Sequence, residues 1–185
     1  MNNTHSSSSD NAVCSARGAL VEVLLQVRGL LMLLNQDQYV LAPVGDVRSS
    51  IASHVRHALE HVKSLLRATG TGRLDYDLRD RDTPVERELP AATAEIDSLI
   101  DALRRIDPID ANADWTLGAR VTESGATLGM RTTPLRELVF VLSHTIHHNA
   151  LIGVLARRQG ISLPARFGYA PSTPVSETEC QPCAR

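Results

Sequence analysis

Leu20, Val23, Leu24, Val27, Leu30, Leu31 and Leu34 recur at intervals of three and four residues. That spacing commits the segment to a helix with one apolar stripe, because residues three and four apart share a face. A striped helix is stable only when similar helices cover the stripe. Three further segments carry the pattern, so the chain predicts four helices over about 11–35, 47–68, 83–106 and 133–159. Their boundaries are marked. Asp46, after Pro43 and Gly45, is placed to cap the second. Thr83, Pro84 and Glu86 supply a cap, an N1 proline and a capping box for the third, which Asp107-Pro108 ends. Thr133-Pro134 opens the fourth, and Gly160 follows it.

The expected architecture is all-α. A four-helix bundle fills 11–171, preceded by a disordered Ser/Asn-rich tail over 1–10 and followed by a flexible tail over 172–185. Aromatics make up only 3% of the 185 residues, which leaves the core to Leu, Val, Ile and Ala. The connection "ADWTLGARVTESGATLGMRTT" is long for a bundle, and long connections are often functional. Val121, Thr122 and Thr127 around Gly125 predict a short hairpin or an extended loop there.

Charge and composition exclude several partners. The net charge is −2 with a pI near 6.4, and no broad basic footprint points to nucleic acid. The run "ALVEVLLQVRGLLMLL" is broken by Glu22, Gln26 and Arg28, too short and too polar for a membrane span. "MNNTHSSSSD" lacks the layout of a signal peptide. A cytoplasmic chain is expected, with no membrane partner and compatible with a homodimer. Three cysteines are an odd number and oppose a disulfide framework. Cys180 and Cys183 have CxxC spacing, but no helix follows to lower a thiol pKa, so they read as exposed tail.

The histidines carry the chemistry. Six of the seven fall in two helical groups. His54, His57 and His61 share a face of the second helix, and His144 and His148 are four apart on the fourth. Val141, Leu151 and Leu155 lie on the same stripe as His144 and His148, so that pair points inward, while His147 sits nearer its flank. An inward imidazole without a partner is costly. A divalent metal relieves that cost by binding neutral ring nitrogens, and three such ligands leave a position open, as catalytic sites do. Spacing does not choose among zinc, nickel, iron and copper.

Two segments, "SSIASHVRHALEHVKSLL" and "HTIHHNALIGVLARRQG", resemble the DinB-like superfamily of metal-binding four-helix proteins. That superfamily includes bacillithiol transferases and mycothiol-dependent maleylpyruvate isomerases, and its bundle also occurs in the sulfoxide synthases of ergothioneine biosynthesis. The resemblance spans about residues 12–171. It implies one divalent ion (zinc, nickel or iron) held by His144 and His148 and by one histidine of the second helix. The register from Ser50 points to His57. The tryptophan that often precedes this motif is replaced by serines, which leaves His54 and His61 as alternatives and otherwise as pocket residues, turned toward a carboxylate such as Glu60 or Asp77.

The resemblance further implies an enzyme that transfers a low-molecular-weight thiol to an electrophilic small molecule. A metal-dependent hydrolase and a non-catalytic metal-binding stress protein are the rival expectations. In "LDYDLRDRD", Arg79 and Arg81 are placed to receive the carboxylates of a thiol substrate, against the simpler reading of a solvated charge run. Tyr76 is a candidate substrate contact or proton donor. "FGYAPST" reads as an ordered turn folding back on the bundle.

Overall fold

The computed structural model describes residues 4–42, 49–78 and 83–174. In chain order these form α1 (Thr4–Leu31), α2 (Gln36–Val40), α3 (Ile51–Thr69), β1 (Arg73–Asp75), α4 (Pro84–Arg87), α5 (Leu89–Arg105), β2 (Trp115–Arg120), β3 (Thr127–Thr132) and α6 (Pro134–Arg158). α5 and α6 each pack against both α1 and α3, so α1 and α3 occupy opposite corners of the bundle. Leu20, Leu24, Val27, Leu30 and Leu31 of α1 are buried there with Ile51, Val55, Leu59 and Val62 of α3, Ile96 and Leu103 of α5, and Val141 and Ile152 of α6. Each such side chain contributes about 1.5–3 kcal/mol on leaving water. α6 is long and apolar enough to cross a membrane by length and composition. Its packing between α1 and α3 accounts for that character as a core helix.

The all-α expectation is corrected. Besides six helices, the described residues hold a three-stranded mixed sheet in the order β1-β2-β3. β2 and β3 pair antiparallel from Trp115↔Thr132 to Arg120↔Thr127. Val121 and Thr122 lie in the turn rather than in a strand, and Gly125, at φ 95°, closes it. β1 pairs parallel with β2, Leu74 opposite Leu117. Leu74, Trp115 and Leu117 are buried against the bundle, and this burial drives the sheet to form. The pairing joins residues more than forty positions apart, which no local pattern announces.

Three helix boundaries also differ from expectation. The first helix begins at Thr4 and stops at Leu31; Asn35 then starts α2 with a capping box to Gln38. The Ser-rich turns before Val13 extend α1 rather than forming a tail. The third helix is broken at Glu88, whose backbone is extended (φ −130°, ψ 114°). Pro90 is the cause: it has no N–H for the Glu86 carbonyl and its ring clashes there, so it begins a new helix. Thr83 stands at the N-cap of α4 without a side-chain capping bond. At α6, by contrast, the Thr133 side chain accepts from the Arg136 N–H and Pro134 opens the helix. Asp46, Arg79, Arg81, Cys180 and Cys183 lie outside the described residues.

The turn after α6 closes the bundle behind the histidines. Phe167 is buried, and Gly168 has φ 75° with room for no side chain, since a Cβ would stand 2.7 Å from the Ala150 nitrogen.

Candidate metal centre

α3 and α6 face each other along the seam that carries the histidines. α3 is set by the Ser50 cap, whose hydroxyl accepts from the Ser53 N–H at 3.1 Å. Val55, Ala58, Leu59 and Val62 fill the core, which turns His54, His57 and His61 toward one flank. On α6, Val141, Thr145, Asn149 and Ile152 are buried, and Asn149 Nδ2 donates to the Val23 carbonyl of α1. That anchor fixes the rotation of α6 and aims His144 and His148 at α3.

The result is one cluster of five rings. His57 lies 4.6 Å from His61, 5.1 Å from His144 and 4.7 Å from His148, centroid to centroid. His61 and His144 are 4.0 Å apart, and His144 and His148 4.5 Å. Ligand nitrogens of His57, His61 and His144 all lie within 4.8 Å of one another, so the three can hold a metal ion. His148 stands beside them, and its Nδ1 is 3.0 Å from His54 Nδ1. One ring of that pair donates and the other accepts. His147 is exposed, 5.3 Å from His148. Of the pocket residues expected on the second helix, His61 thus joins the metal-capable group and His54 joins His148.

The electrostatics favour ligation. Burial first, then His61 and His147, pushes His144 down to about 4. Burial first, then His144, His57, His54 and His147, pushes His148 down to about 3. Burial and His147 also lower His54. The rings are therefore neutral at physiological pH, the form that binds metal. The Nε2 atoms of His54 and His144 are buried without a hydrogen-bond partner. An unsatisfied buried nitrogen next to two more imidazoles fits a cation, and the all-imidazole donor set suits a borderline divalent ion.

A second polar cluster borders the first. Tyr76 stacks on His61 at 4.8 Å, and its hydroxyl donates to Glu137 Oε2 at 2.8 Å. Glu137 is wholly buried and also accepts from Thr132 Oγ1 and the Arg136 guanidinium. Burial and this bond raise the Tyr76 phenol well above its ordinary range. Phe140 stacks on His144 and forms another wall. Glu137 escaped the sequence reading, although its place four residues after Thr133, at the head of an apolar stripe, marked an inward carboxylate. The carboxylates considered as histidine partners lie elsewhere: Glu60 pairs with Lys63, and Asp77 accepts from the Arg120 N–H.

An open groove of about 840 Å³ is lined by Ser64, Arg67, Arg73, Asp75, Asp77 and Thr116, among others. Ser64 follows His61 by one turn of α3, and Asp75 and Asp77 flank Tyr76 in sequence.

A helical bundle with a small docked sheet and a histidine seam defines the class. Among solved structures, a DinB-like protein of Bacillus subtilis (YjoA) superposes with a TM-score of 0.61 at 15% identity, covering 83% of this chain and 98% of that one. The chain therefore has the DinB-like fold. Among curated proteins, FK506-binding protein 5 of Rhizopus delemar is 33% identical over 101 residues, 54% of this chain. This chain spans about a quarter of that relative's length (26%). No family model matches the sequence.

Proposed function

We propose that this protein is a divalent-metal-dependent enzyme that transfers a low-molecular-weight thiol to an electrophilic small molecule. The observation that carries the reading is the His57–His61–His144 group, three ligand nitrogens within 4.8 Å of one another on two facing helices. His57 and His144 are the ligands common to this group and to the DinB-like pattern, and His61 and His148 flank them. A bound divalent ion supplies Lewis acidity that keeps a thiol ionised at neutral pH. The surrounding residues exclude water and orient the substrate. Phe140 and Tyr76 wall the centre with apolar ring faces. Glu137 already accepts three donors and has no role as a general base. Activation of the nucleophile is thus assigned to the ion, not to a carboxylate. Arg67 and Arg73 line an open groove and are proposed to present guanidinium groups to the carboxylates that biological thiols carry. Arg79 and Arg81, a few residues on in the chain, are proposed to extend that recognition.

The test is metal analysis of the purified protein, then a screen of glutathione, cysteine, bacillithiol and mycothiol against monochlorobimane. The expected result is metal-dependent conjugation with at least one thiol, lost on chelation and restored by the ion. A fully loaded protein that accelerates none of these reactions, yet hydrolyses an ester or amide, overturns thiol transfer in favour of hydrolysis.

A further inference from the structure

Arg73 and Asp75 stand two apart on β1, so their side chains leave the sheet on one face, while Leu74 between them is buried on the other. On β2, Thr116 lies opposite Arg73 and Gly118 opposite Asp75. All four line the open groove, together with Ser64 and Arg67 of α3. Opposite charges on one face attract. Arg73 and Asp75 nevertheless stay apart: among the described residues the Arg73 guanidinium has neither an ion pair nor a hydrogen-bond partner.

Asp75 is tied down elsewhere. Its Oδ1 accepts from the Asp77 N–H at 2.8 Å and the Leu78 N–H at 3.3 Å, a turn that fixes the carboxylate. Its Oδ2 has no hydrogen-bond partner among the described residues. That oxygen lies beside Gly118, where a Cβ would stand 3.4 Å from it, so the glycine keeps the approach to it free of a side chain. Asp77, by contrast, has Oδ2 engaged by the Arg120 N–H at 2.8 Å. From α3, Arg67 Nη2 donates to Ser64 Oγ at 3.2 Å and stands 3.9 Å from Glu60 Oε2, which leaves other N–H donors of its guanidinium unused.

The groove thus holds cationic donors, Arg67 and Arg73, and one fixed, unfilled carboxylate oxygen. A ligand of a single sign is attracted by one half and repelled by the other, whereas a ligand carrying both charges matches both. We infer that this groove binds the α-amino acid head of a small molecule, its carboxylate on Arg73 and Arg67 and its ammonium on Asp75 Oδ2. In such a head a single carbon separates the two charged groups, which suits a cation and an anion two residues apart on one strand. Both contacts are charge-assisted, and arginine takes a carboxylate with two parallel N–H donors. The inference rests on the proposed role of Arg67 and Arg73 toward substrate carboxylates and deepens it. A thiol with a free α-amino acid head, such as cysteine, is favoured over one whose amine or carboxylate is blocked.

The experiment titrates the whole, metal-free chain with three probes and follows amide chemical shifts by NMR. The probes are S-methylcysteine, whose thiol is blocked, methylthiopropionate, which lacks the ammonium, and methylthioethylamine, which lacks the carboxylate. The expected result is a shift at Arg73, Asp75, Thr116 and Gly118, with S-methylcysteine binding about tenfold or more tighter than either half. Asp75→Asn keeps an Oδ1 for the Asp77 and Leu78 N–H groups and removes only the charge. D75N should lose the advantage of S-methylcysteine over methylthiopropionate while binding methylthiopropionate no more weakly than wild type, a split that a merely structural role would not produce. Arg73→Met should weaken S-methylcysteine and methylthiopropionate alike and leave methylthioethylamine no weaker. Equal wild-type affinity for S-methylcysteine and methylthiopropionate overturns the assignment. So does the absence of any shift up to the solubility of the amino acid, or shifts confined to residues outside the groove. These wild-type outcomes decide even if a variant fails to fold, and without metal they are independent of the conjugation screen, which tests thiol transfer by itself.

Discussion

Two polar clusters meet at the ring of Tyr76, and they are built on opposite logic. Around Glu137, a fully buried carboxylate accepts from a phenol, a hydroxyl and a guanidinium. Beside it, buried and half-buried histidines face one another, and the buried Nε2 atoms of His54 and His144 have no hydrogen-bond partner. A saturated cluster stabilises what already exists, whereas an unsaturated one is costly unless something fills it. The first cluster is therefore part of the fold, and the second is a receptacle. Substitutions in the two should consequently read out in different experiments, one in stability and the other in metal content.

The sharpest break is in the histidines. A His57→Ala, His144→Ala double variant removes one donor from each helix. Stoichiometric metal binding should fall below detection by mass spectrometry of the dialysed protein, with the helical circular dichroism intact. Full occupancy in that variant would end the metal reading.

The reverse experiment is Glu137→Ala. It strips the acceptor from three donors, a loss of about 2–4 kcal/mol when Arg136 is discounted for its exposure. For a chain of this length the melting temperature should drop by about 5–15 °C. Metal stoichiometry should hold at low temperature. A variant that melts like wild type but loses its metal would invert the comparison.

A third test uses pH on the metal-free protein. His144 and His148 have folded-state values of about 4 and 3, below the ordinary 6.5. Above pH 6.5 both rings are neutral in the folded and unfolded chain, and their contribution to stability is complete. As pH falls below 6.5, the unfolded chain binds a proton at each ring and the folded chain does not, so stability declines until the folded values are passed. The melting temperature should therefore fall between pH 7 and 5, and a His148→Leu variant should show a shallower fall. A flat profile over that interval would mean the rings are not buried as neutral groups.

How much of this could be read from the sequence depends on whether the signal was local. The i,i+4 spacing of His144 and His148 and the one-faced run of His54, His57 and His61 are properties of a single helix, and the structure brings all five together. Which nitrogens converge depends on helix rotation. That is set by remote contacts, such as Asn149 on Val23 and Tyr76 on His61. The parallel pairing of β1 with β2 is equally remote. Its strand, Arg73–Asp75, is three residues long and looked like a charged loop. The break at Glu88 is a different matter: Pro90 marked it locally, and the stronger-looking capping pattern at Thr83 drew the helix through it.

The mildest perturbation separates the clusters most finely. Tyr76 belongs to both, since its ring covers His61 and its hydroxyl belongs to Glu137. Tyr76→Phe keeps the ring and removes only the hydroxyl. If Tyr76 is part of the fold, the loss is one of three donors to Glu137, about 1 kcal/mol, or about 2–4 °C in melting temperature. The stack on His61 survives, so metal affinity stays as it was and kcat changes by less than about threefold. If the phenol instead delivers a proton to substrate, kcat should fall by about 10²–10⁴ with stability little altered. The geometry favours the first outcome. The phenol proton is engaged by a buried carboxylate, and burial with that bond raises the phenol above its ordinary range. A proton held that tightly is withheld from substrate, and a large loss of kcat in Y76F would move Tyr76 from the saturated cluster into the reactive one.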